Sequence, residues 1–288
     1  MKGLILGCNG QLGRCLADQL KNTTHDVIYS SRDQIDISNL SETKNTINKI
    51  APDLVINASA YTAVDKAEEE QIKADLINHL AVANISKICS KLGSWLIHFS
   101  TDYVFDGGAK TPYKEDDKTN PQSVYGKSKL QGELAIGQSD CKHIIIRTSW
   151  VFSEYGNNFM KTMLNLGASH EKLNIVGDQT GCPTYAQDIA KIIPNILISI
   201  SLGKAISGIF HFCGDQSCSW HDFAKFIFSE ASILGKKTPN SINSIKTEDY
   251  PTLAIRPIYS ELDCSKIKKI FDINTSDWQK GVRNILNQ

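Results

Sequence analysis

Gly7-Cys8-Asn9-Gly10-Gln11-Leu12-Gly13 follows directly on the apolar run Leu4-Ile5-Leu6, and Leu12, Cys15, Leu16 and Leu20 then recur at helical spacing. The reading is strand, tight turn, helix. Gly7 permits the turn, Gly10 lets a pyrophosphate approach the backbone at the positive end of the helix, and Gly13 lets the helix pack close to the strand. Three glycines spaced G-x-x-G-x-x-G are weak evidence alone. Their place between a strand and a helix is what a dinucleotide-binding turn requires.

Outward from this turn, the first half of the chain keeps alternating. Asp26 to Ser30 reads as a second strand, and Ser41 is placed to cap a short helix carrying Ile47 and Ile50. Leu54-Val55-Ile56 follows Pro52-Asp53 as a third strand. Ala74 to Leu92 reads as one long helix with Leu76, Leu80, Ile85, Ile88 and Leu92 on its apolar face, ended by Gly93. Trp95 to Ser100, a helix over Ser123 to Ile136 and a strand over His143 to Trp150 complete the half. Continuous apolar strands alternating with helices predict a doubly wound parallel sheet in an α/β fold. Residues 1–150 form the expected dinucleotide-binding domain, with last sheet strands from about 180–215. Residues 151–288 form a smaller, interleaved α/β substrate-binding part. There the pattern predicts helices near Asn158–Leu166, Gln187–Ile200 and Trp220–Leu234, the second kinked or split at Pro194, and strands near Leu173–Val176 and Ile209–Cys213. Thr238 to Asp249 reads as a surface loop.

Composition narrows the function. Of 288 residues, 41% are hydrophobic and 22% charged, which is ordinary globular usage. Lys+Arg and Asp+Glu are both 31, so a whole-molecule basic field for nucleic acid is absent. No apolar run reaches the ~18 residues of a membrane span. The start, Met1-Lys2-Gly3-Leu4-Ile5-Leu6-Gly7, is too short an apolar run for an export signal, so a soluble cytoplasmic protein is expected. The eight cysteines contain no C-x-x-C pair and are expected as reduced thiols, mostly core. The seven histidines show no metal-site spacing.

The end of the second strand bears on the cofactor. An acidic residue there would bind ribose hydroxyls and favour NAD. This chain offers Ser30, Ser31 and Arg32, which suit a 2′-phosphate and favour NADPH, with NADH possible. Asp36 and Ile37 are placed to meet the adenine edge. Further on, Tyr125-Gly126-Lys127-Ser128-Lys129 puts Tyr125 and Lys129 on one helix face. A lysine beneath the phenol favours phenolate; a downward shift of about 2 units is about 2.7 kcal/mol and makes a stronger general acid near neutral pH. Thr101, at the carboxyl end of the fourth strand, is placed to hydrogen-bond a reacting oxygen.

Several longer strings carry a resemblance. They are Asn57-Ala58-Ser59-Ala60-Tyr61-Thr62-Ala63-Val64-Asp65-Lys66-Ala67-Glu68, Ser100-Thr101-Asp102-Tyr103-Val104-Phe105-Asp106-Gly107, Arg147-Thr148-Ser149-Trp150-Val151-Phe152, Gly177-Asp178-Gln179-Thr180-Gly181-Cys182-Pro183-Thr184 and Arg256-Pro257. Together with the two motifs they resemble the extended short-chain dehydrogenase/reductases, and within them the family of dTDP-4-dehydrorhamnose reductases. The likeness covers nearly the whole chain and thins between Ser201 and Asp249. It implies pyrophosphate contacts from Gly10, Gln11 and Leu12, adenine contacts from Asp36 and Ile37, and a ribose–nicotinamide side lined by Ala60, Tyr61 and Thr62. It implies Tyr125 and Lys129 as catalytic residues that also touch the cofactor, and Thr101, Asp102 and Trp150 as holders of a dTDP-sugar.

The implied reaction is reduction of a C4 ketone by NADPH. A dehydratase or epimerase on the same fold is the rival enzyme. A dehydratase would resemble Thr-Asp-Glu where this chain has Thr101-Asp102-Tyr103. A non-catalytic cofactor-binding regulatory subunit is the rival outside enzymes, and it has no need of the Tyr125/Lys129 pair. Some members of the family are said to bind Mg²⁺ through glutamates at a dimer contact. This chain has Cys15 and Gln187 at the corresponding places, so Mg²⁺ is not expected. Monomer and homodimer both stay open.

Overall fold

The computed structural model describes residues 1–21 and 26–288. In chain order the elements are β1 (Lys2–Leu6), α1 (Gln11–Leu20), β2 (Asp26–Ser30), α2 (Leu40–Ile50), β3 (Leu54–Asn57), α3 (Val64–Glu69), α4 (Gln71–Asp75), a π-helical turn (Leu76–Leu80), α5 (Ala81–Leu92), β4 (Trp95–Thr101), a 3₁₀ turn (Asp102–Val104), α6 (Val124–Gly137) and β5 (Lys142–Thr148). There follow β6 (Val151–Phe152), α7 (Phe159–Ser169), β7 (Lys172–Val176), β8 (Thr180–Gly181), β9 (Thr184–Tyr185), α8 (Ala186–Ser201), β10 (Gly208–His211), β11 (Cys218–Ser219), α9 (Trp220–Ile233), β12 (Ser241–Ile245), a second 3₁₀ turn (Thr247–Asp249), α10 (Ser265–Phe271) and α11 (Trp278–Leu286).

The main sheet has six parallel strands in the order β10-β5-β4-β3-β1-β2. The order reverses between β1 and β3, and in open α/β sheets the ligand crevice lies outside the carboxyl ends of the strands at such a reversal. Both faces are covered. Along β1, Ile5 joins one buried cluster with Leu16, Ile97, Ile193 and Phe210, while Leu4 and Leu6 join another with Ile47, Val55, Ile85 and Ile145. That period-two split of an all-apolar strand is the expected doubly wound arrangement. A third cluster around Phe152, Met160, Phe223, Trp278 and Val282 forms the core of the C-terminal part.

Several local expectations are corrected. α8 runs unbroken through Pro194, with Ile189, Ala190, Ile193, Ile196 and Leu197 buried on both sides of it. Burial of such side chains at ~1.5–3 kcal/mol each outweighs the ~3 kcal/mol cost of one proline. The long helix over 74–92 is interrupted by the π turn, which takes Leu80 to the surface and turns Asn78 inward. Asn39, not Ser41, caps α2, its side chain accepting from the Glu42 amide. The loop expected over 238–249 contains β12, which pairs with β7 and packs Ile242 on the third cluster. Of the stretch 180–215, β10 joins the main sheet, while β8 and β9 pair with β11 and β6. All eight cysteines are free, six of them buried. Among the described residues no helix is long and apolar enough to cross a membrane.

Candidate active site

The glycine turn closes on the β3 loop. Gly7 holds φ +80°, and a Cβ there would lie 2.6 Å from Ser59 Oγ. A Cβ on Gly13 would lie 2.1 Å from the Gly7 carbonyl oxygen, so α1 reaches the turn only because residue 13 has no side chain. Gly10 starts α1, no side chain caps it and the first turn carries no acidic residue. The first amides therefore point outward as an anion site at the positive helix end. A cleft of about 200 Å³ opens there, lined by Gly7, Asn9, Gly10, Arg32, Ile35, Asp36, Ile37, Ala58, Ser59, Ala60 and Ile77.

The structure thus brings together Gly7, Gly10, Arg32, Asp36, Ile37 and Ala60. Arg32 is exposed and its Nε donates to Asp36 Oδ2 at 3.3 Å. Hydrogen bonds from the Ser38 side chain, ahead of burial acting the other way, hold the Asp36 carboxyl below its usual range. Ser31 is buried and its amide is given to Gln34 Oε1, so it does not line the cleft. Gln11 turns its side chain to the C-terminal part, donating to the Val151 carbonyl and accepting from Asn158. Leu12 packs against the core. Tyr61 is also turned inward. Its ring is buried, its hydroxyl donates to Glu70, and Asn78 clasps its backbone through both amide atoms. Thr62 is exposed beyond the lining. Asn78 was not a sequence candidate. Its only signal was an asparagine within an apolar helical run.

Tyr125 and Lys129 stand on α6, which Ser123 caps by accepting from the Gly126 amide. Asn78 also reaches this helix through Ser128 Oγ. Thr101 ends β4; its hydroxyl donates to Asp102 Oδ1 at 3.0 Å and accepts from the Tyr103 amide. These side chains meet at the carboxyl edge of the sheet. Their titration differs from the expected pattern. Burial pushes Tyr125 up to about 12, against the Thr101 hydrogen bond. Burial also brings Lys129 down to about 8, against a raising pull from Glu133. Desolvation disfavours each charged form, and Lys129 spends its Nζ on the Phe99 carbonyl and His98 rather than on the phenol. The expected lowering of Tyr125 by its lysine is therefore corrected. Asp102 is buried and raised to about 6 by that burial, against hydrogen bonds from Ser260 and Thr101.

Trp150 lies just past β5, whose Thr148 pairs with Thr101. It is not part of the strand: it takes a left-handed φ of 46°, uncommon and strained for a bulky residue. Its ring stacks on Trp220 at 3.4 Å and 4°. Trp220 in turn donates its indole N–H to Gln179. Trp220 and Gln179 complete a wall that the sequence did not disclose as a unit, since 70 residues of chain separate the two tryptophans. Cys15 is fully buried, and Gln187 donates to Glu154 Oε1.

The whole chain, residues 1–288, matches the family model described as the RmlD substrate binding domain. A dTDP-4-dehydrorhamnose reductase of Aggregatibacter actinomycetemcomitans is 45% identical over 98% of this chain and 97% of its own length. That of Escherichia coli K12 is 40% identical over 100% and 98%. Among solved structures, a dTDP-4-dehydrorhamnose reductase from Clostridium acetobutylicum superposes with TM-score 0.91 at 39% identity, covering 100% of this chain and 99% of that one. One from Bacillus anthracis, in complex with NADP, gives 0.90 at 33% identity over 99% and 98%. The chain belongs to the RmlD family, that of the dTDP-4-dehydrorhamnose reductases.

Proposed function

We propose that this protein reduces the C4 ketone of dTDP-4-dehydro-6-deoxy-L-mannose (dTDP-4-dehydrorhamnose) to the alcohol of dTDP-L-rhamnose, with NADPH as the preferred cofactor. The observation that carries the reading is the convergence at one sheet edge of a pyrophosphate-binding turn with the Thr101–Tyr125–Lys129 group. The residues present fit the cofactor. The uncapped α1 start and the Gly7–Ser59 approach suit its pyrophosphate, Asp36 and Ile37 flank the adenine position, and Arg32 is free enough in its exposed ion pair to take a 2′-phosphate. Bound NADPH supplies the hydride.

The chain's own residues do the rest. Thr101 holds the ketone oxygen, and Tyr125 keeps its proton at working pH, since desolvation raises further a phenol whose ordinary value already lies near 10. As C4 becomes tetrahedral, that proton passes from Tyr125 Oη to the oxygen. General acid help of this kind is worth ~10²–10⁴ in rate. Trp150 and Trp220 give the deoxysugar an apolar wall that fixes which face it presents. The tyrosine–lysine pair disfavours a pure cofactor-binding subunit, and Tyr103 in place of a glutamate disfavours the dehydratase. The test is steady-state oxidation of NADPH with dTDP-4-dehydrorhamnose and with other 4-keto sugar nucleotides. Turnover is expected with the first. Stoichiometric NADPH binding without turnover on any of them overturns the reading.

A further inference from the structure

The two stacked tryptophans are held in different ways. Stacking at 3.4 Å and 4° fixes the plane of each ring. It leaves a ring free to turn or slide within that plane, because the attraction is spread over the whole face. Phe159 also packs on Trp220, at 4.5 Å and 45°, and adds no direction. An indole N–H that must reach one acceptor does remove that freedom, since a hydrogen bond weakens steeply off its axis. Trp220 has such an acceptor, Gln179 Oε1 at 3.2 Å. Trp150 is confined by shape instead. A Cβ on Gly181 would lie 2.5 Å from its Cε2, so the segment that carries Gln179 bears on both rings.

The Trp220 bond is one end of a series that runs in a single direction. An indole N–H only donates, so the Gln179 oxygen faces Trp220 and its Nε2 faces away. Nε2 donates to Thr247 Oγ1 at 3.1 Å. The Thr247 hydroxyl donates in turn to Asp178 Oδ1 at 2.7 Å. Both Asp178 oxygens also accept from the Thr247 backbone N–H, at 2.9 and 3.0 Å. These bonds overcome desolvation, the largest single influence on Asp178, and hold its carboxyl below the usual range, so the series ends on an acceptor.

The register of a small sheet sets this up. β7 and β12 run parallel with Val176 opposite Ile245, and two residues further on Asp178 and Thr247 leave the ribbon side by side. Gln179 then turns inward and is only 4% exposed. A buried amide beside aromatic rings is costly unless it is bonded, and what it adds over an apolar side chain is direction.

We propose that Gln179 and Thr247 are positioning residues that, through the Trp220 N–H, set the in-plane orientation of the Trp150–Trp220 stack and so the alignment of the sugar for hydride transfer. This rests on the reductase reading. Thr247 stands two hydrogen bonds from the indole and acts without touching the sugar. The β7–β12 ribbon is thereby the frame on which the sugar wall hangs.

Thr247→Val in the full-length protein tests this. Valine keeps the shape, removes the hydroxyl and leaves Gln179 Nε2 without its acceptor. The protein has four tryptophans, so a nitrogen-15 spectrum carries four indole N–H signals, assigned by replacing each ring with phenylalanine. The Trp220 and Trp150 signals are expected to move, with faster solvent exchange at Trp220, while those of Trp95 and Trp278 stay. At unchanged KM for NADPH, kcat/KM for dTDP-4-dehydrorhamnose is expected to fall ~10-fold or more, mostly in kcat. Thr247→Ser restores the hydroxyl and should return both readouts. Unmoved indole signals, or moved signals with unchanged kcat/KM, overturn the proposal. So does a serine variant as impaired as the valine one. If Thr247→Val does not fold, Gln179→Glu takes its place: the carboxylate still accepts from Trp220 but cannot donate to Thr247, and the same outcomes decide. A wild type without ketone-dependent turnover defeats the reductase reading, whereas an active wild type matched by Thr247→Val defeats the positioning alone.

Discussion

The cleft at the glycine turn and the wall of stacked tryptophans sit at the same edge of the sheet but are assembled in opposite ways. The cleft draws almost all its lining from residues 7–10, 32–37 and 58–60, segments that leave the three adjacent parallel strands β1, β2 and β3. Its chemistry is mostly backbone: turn amides, a helix end and close approaches that only glycine allows. The wall joins Trp150, Gln179 and Trp220, each from a different part of the chain, and its chemistry is side-chain stacking. A site made of backbone in a local motif tolerates change in its side chains and none in its glycines. A site made of distant side chains depends on each of them separately. Lys129 and Tyr125 stand between the two, on a helix that Asn78 ties to the cofactor loop.

The largest expected effect is at that junction. Tyr125→Phe removes one oxygen and keeps the ring that packs edge-on against Tyr103 at 5.5 Å. Folding and NADPH affinity should persist while kcat falls by ~10²–10⁴. Retention of a tenth or more of wild-type kcat would remove Tyr125 from the proton transfer. The next effect separates the wall from the core. A buried tryptophan cut to alanine costs ~3–5 kcal/mol. Trp150 is only half buried and holds a strained φ of 46°. Trp150→Ala should therefore lose less stability than that, yet up to ~10² in kcat/KM through lost alignment. Melting and kinetics measured together decide it. A large fall in Tm with normal kcat/KM would assign the ring to packing alone.

These contrasts also explain what the sequence disclosed. The glycine turn, the Tyr125–Lys129 spacing and the strand runs were legible because each rests on local rules of backbone sterics or period. The π turn at 76–80 was not, because one inserted residue shifts which side chains face inward without altering composition. It hid Asn78, and placed Leu80 on the wrong face. Trp150 read as the end of a strand, since a positive φ at a tryptophan has no sequence signal. The direction of the Tyr125 shift was missed for another reason. Spacing puts a lysine on the right face, but only the fold shows that its Nζ goes to Phe99 and His98 and that burial dominates both groups.

A smaller effect is expected in the cleft. The Arg32–Asp36 pair is exposed at 71% and 37%, and such pairs contribute ~0–1 kcal/mol, so opening it for a ligand costs little. Asp36 stays a carboxylate beside the adenosine position, held low mainly by Ser38. Arg32 therefore offsets one negative charge and is placed to pair with another on a 2′-phosphate. Arg32→Asp should raise the KM for NADPH about tenfold more than that for NADH, the scale of one charge-assisted contact. Equal changes for the two cofactors would place Arg32 in solvent throughout the cycle.

The smallest effect expected is none, and it tests the one place where this chain departs from what its resemblance implied. A hard cation such as Mg²⁺ seeks carboxylate oxygens in near-octahedral array. Cys15 offers a thiol instead, fully buried and pushed up to about 12 by that burial, so it is not a thiolate at working pH. Gln187 is neutral and already gives its amide to Glu154. Asp18, the other carboxylate near this cluster, accepts from Tyr155 Oη at 2.7 Å. Among the described residues no group of three or more metal-ligating side chains comes together. Binding Mg²⁺ here would mean breaking these hydrogen bonds for ligands that are poor in number and in charge. Activity should therefore be unchanged after exhaustive EDTA treatment and gel filtration. A large loss that Mg²⁺ restores would show that Glu154 and Asp18 exchange their present partners for the ion, and that the substitution of Cys15 and Gln187 had moved the metal site rather than removed it.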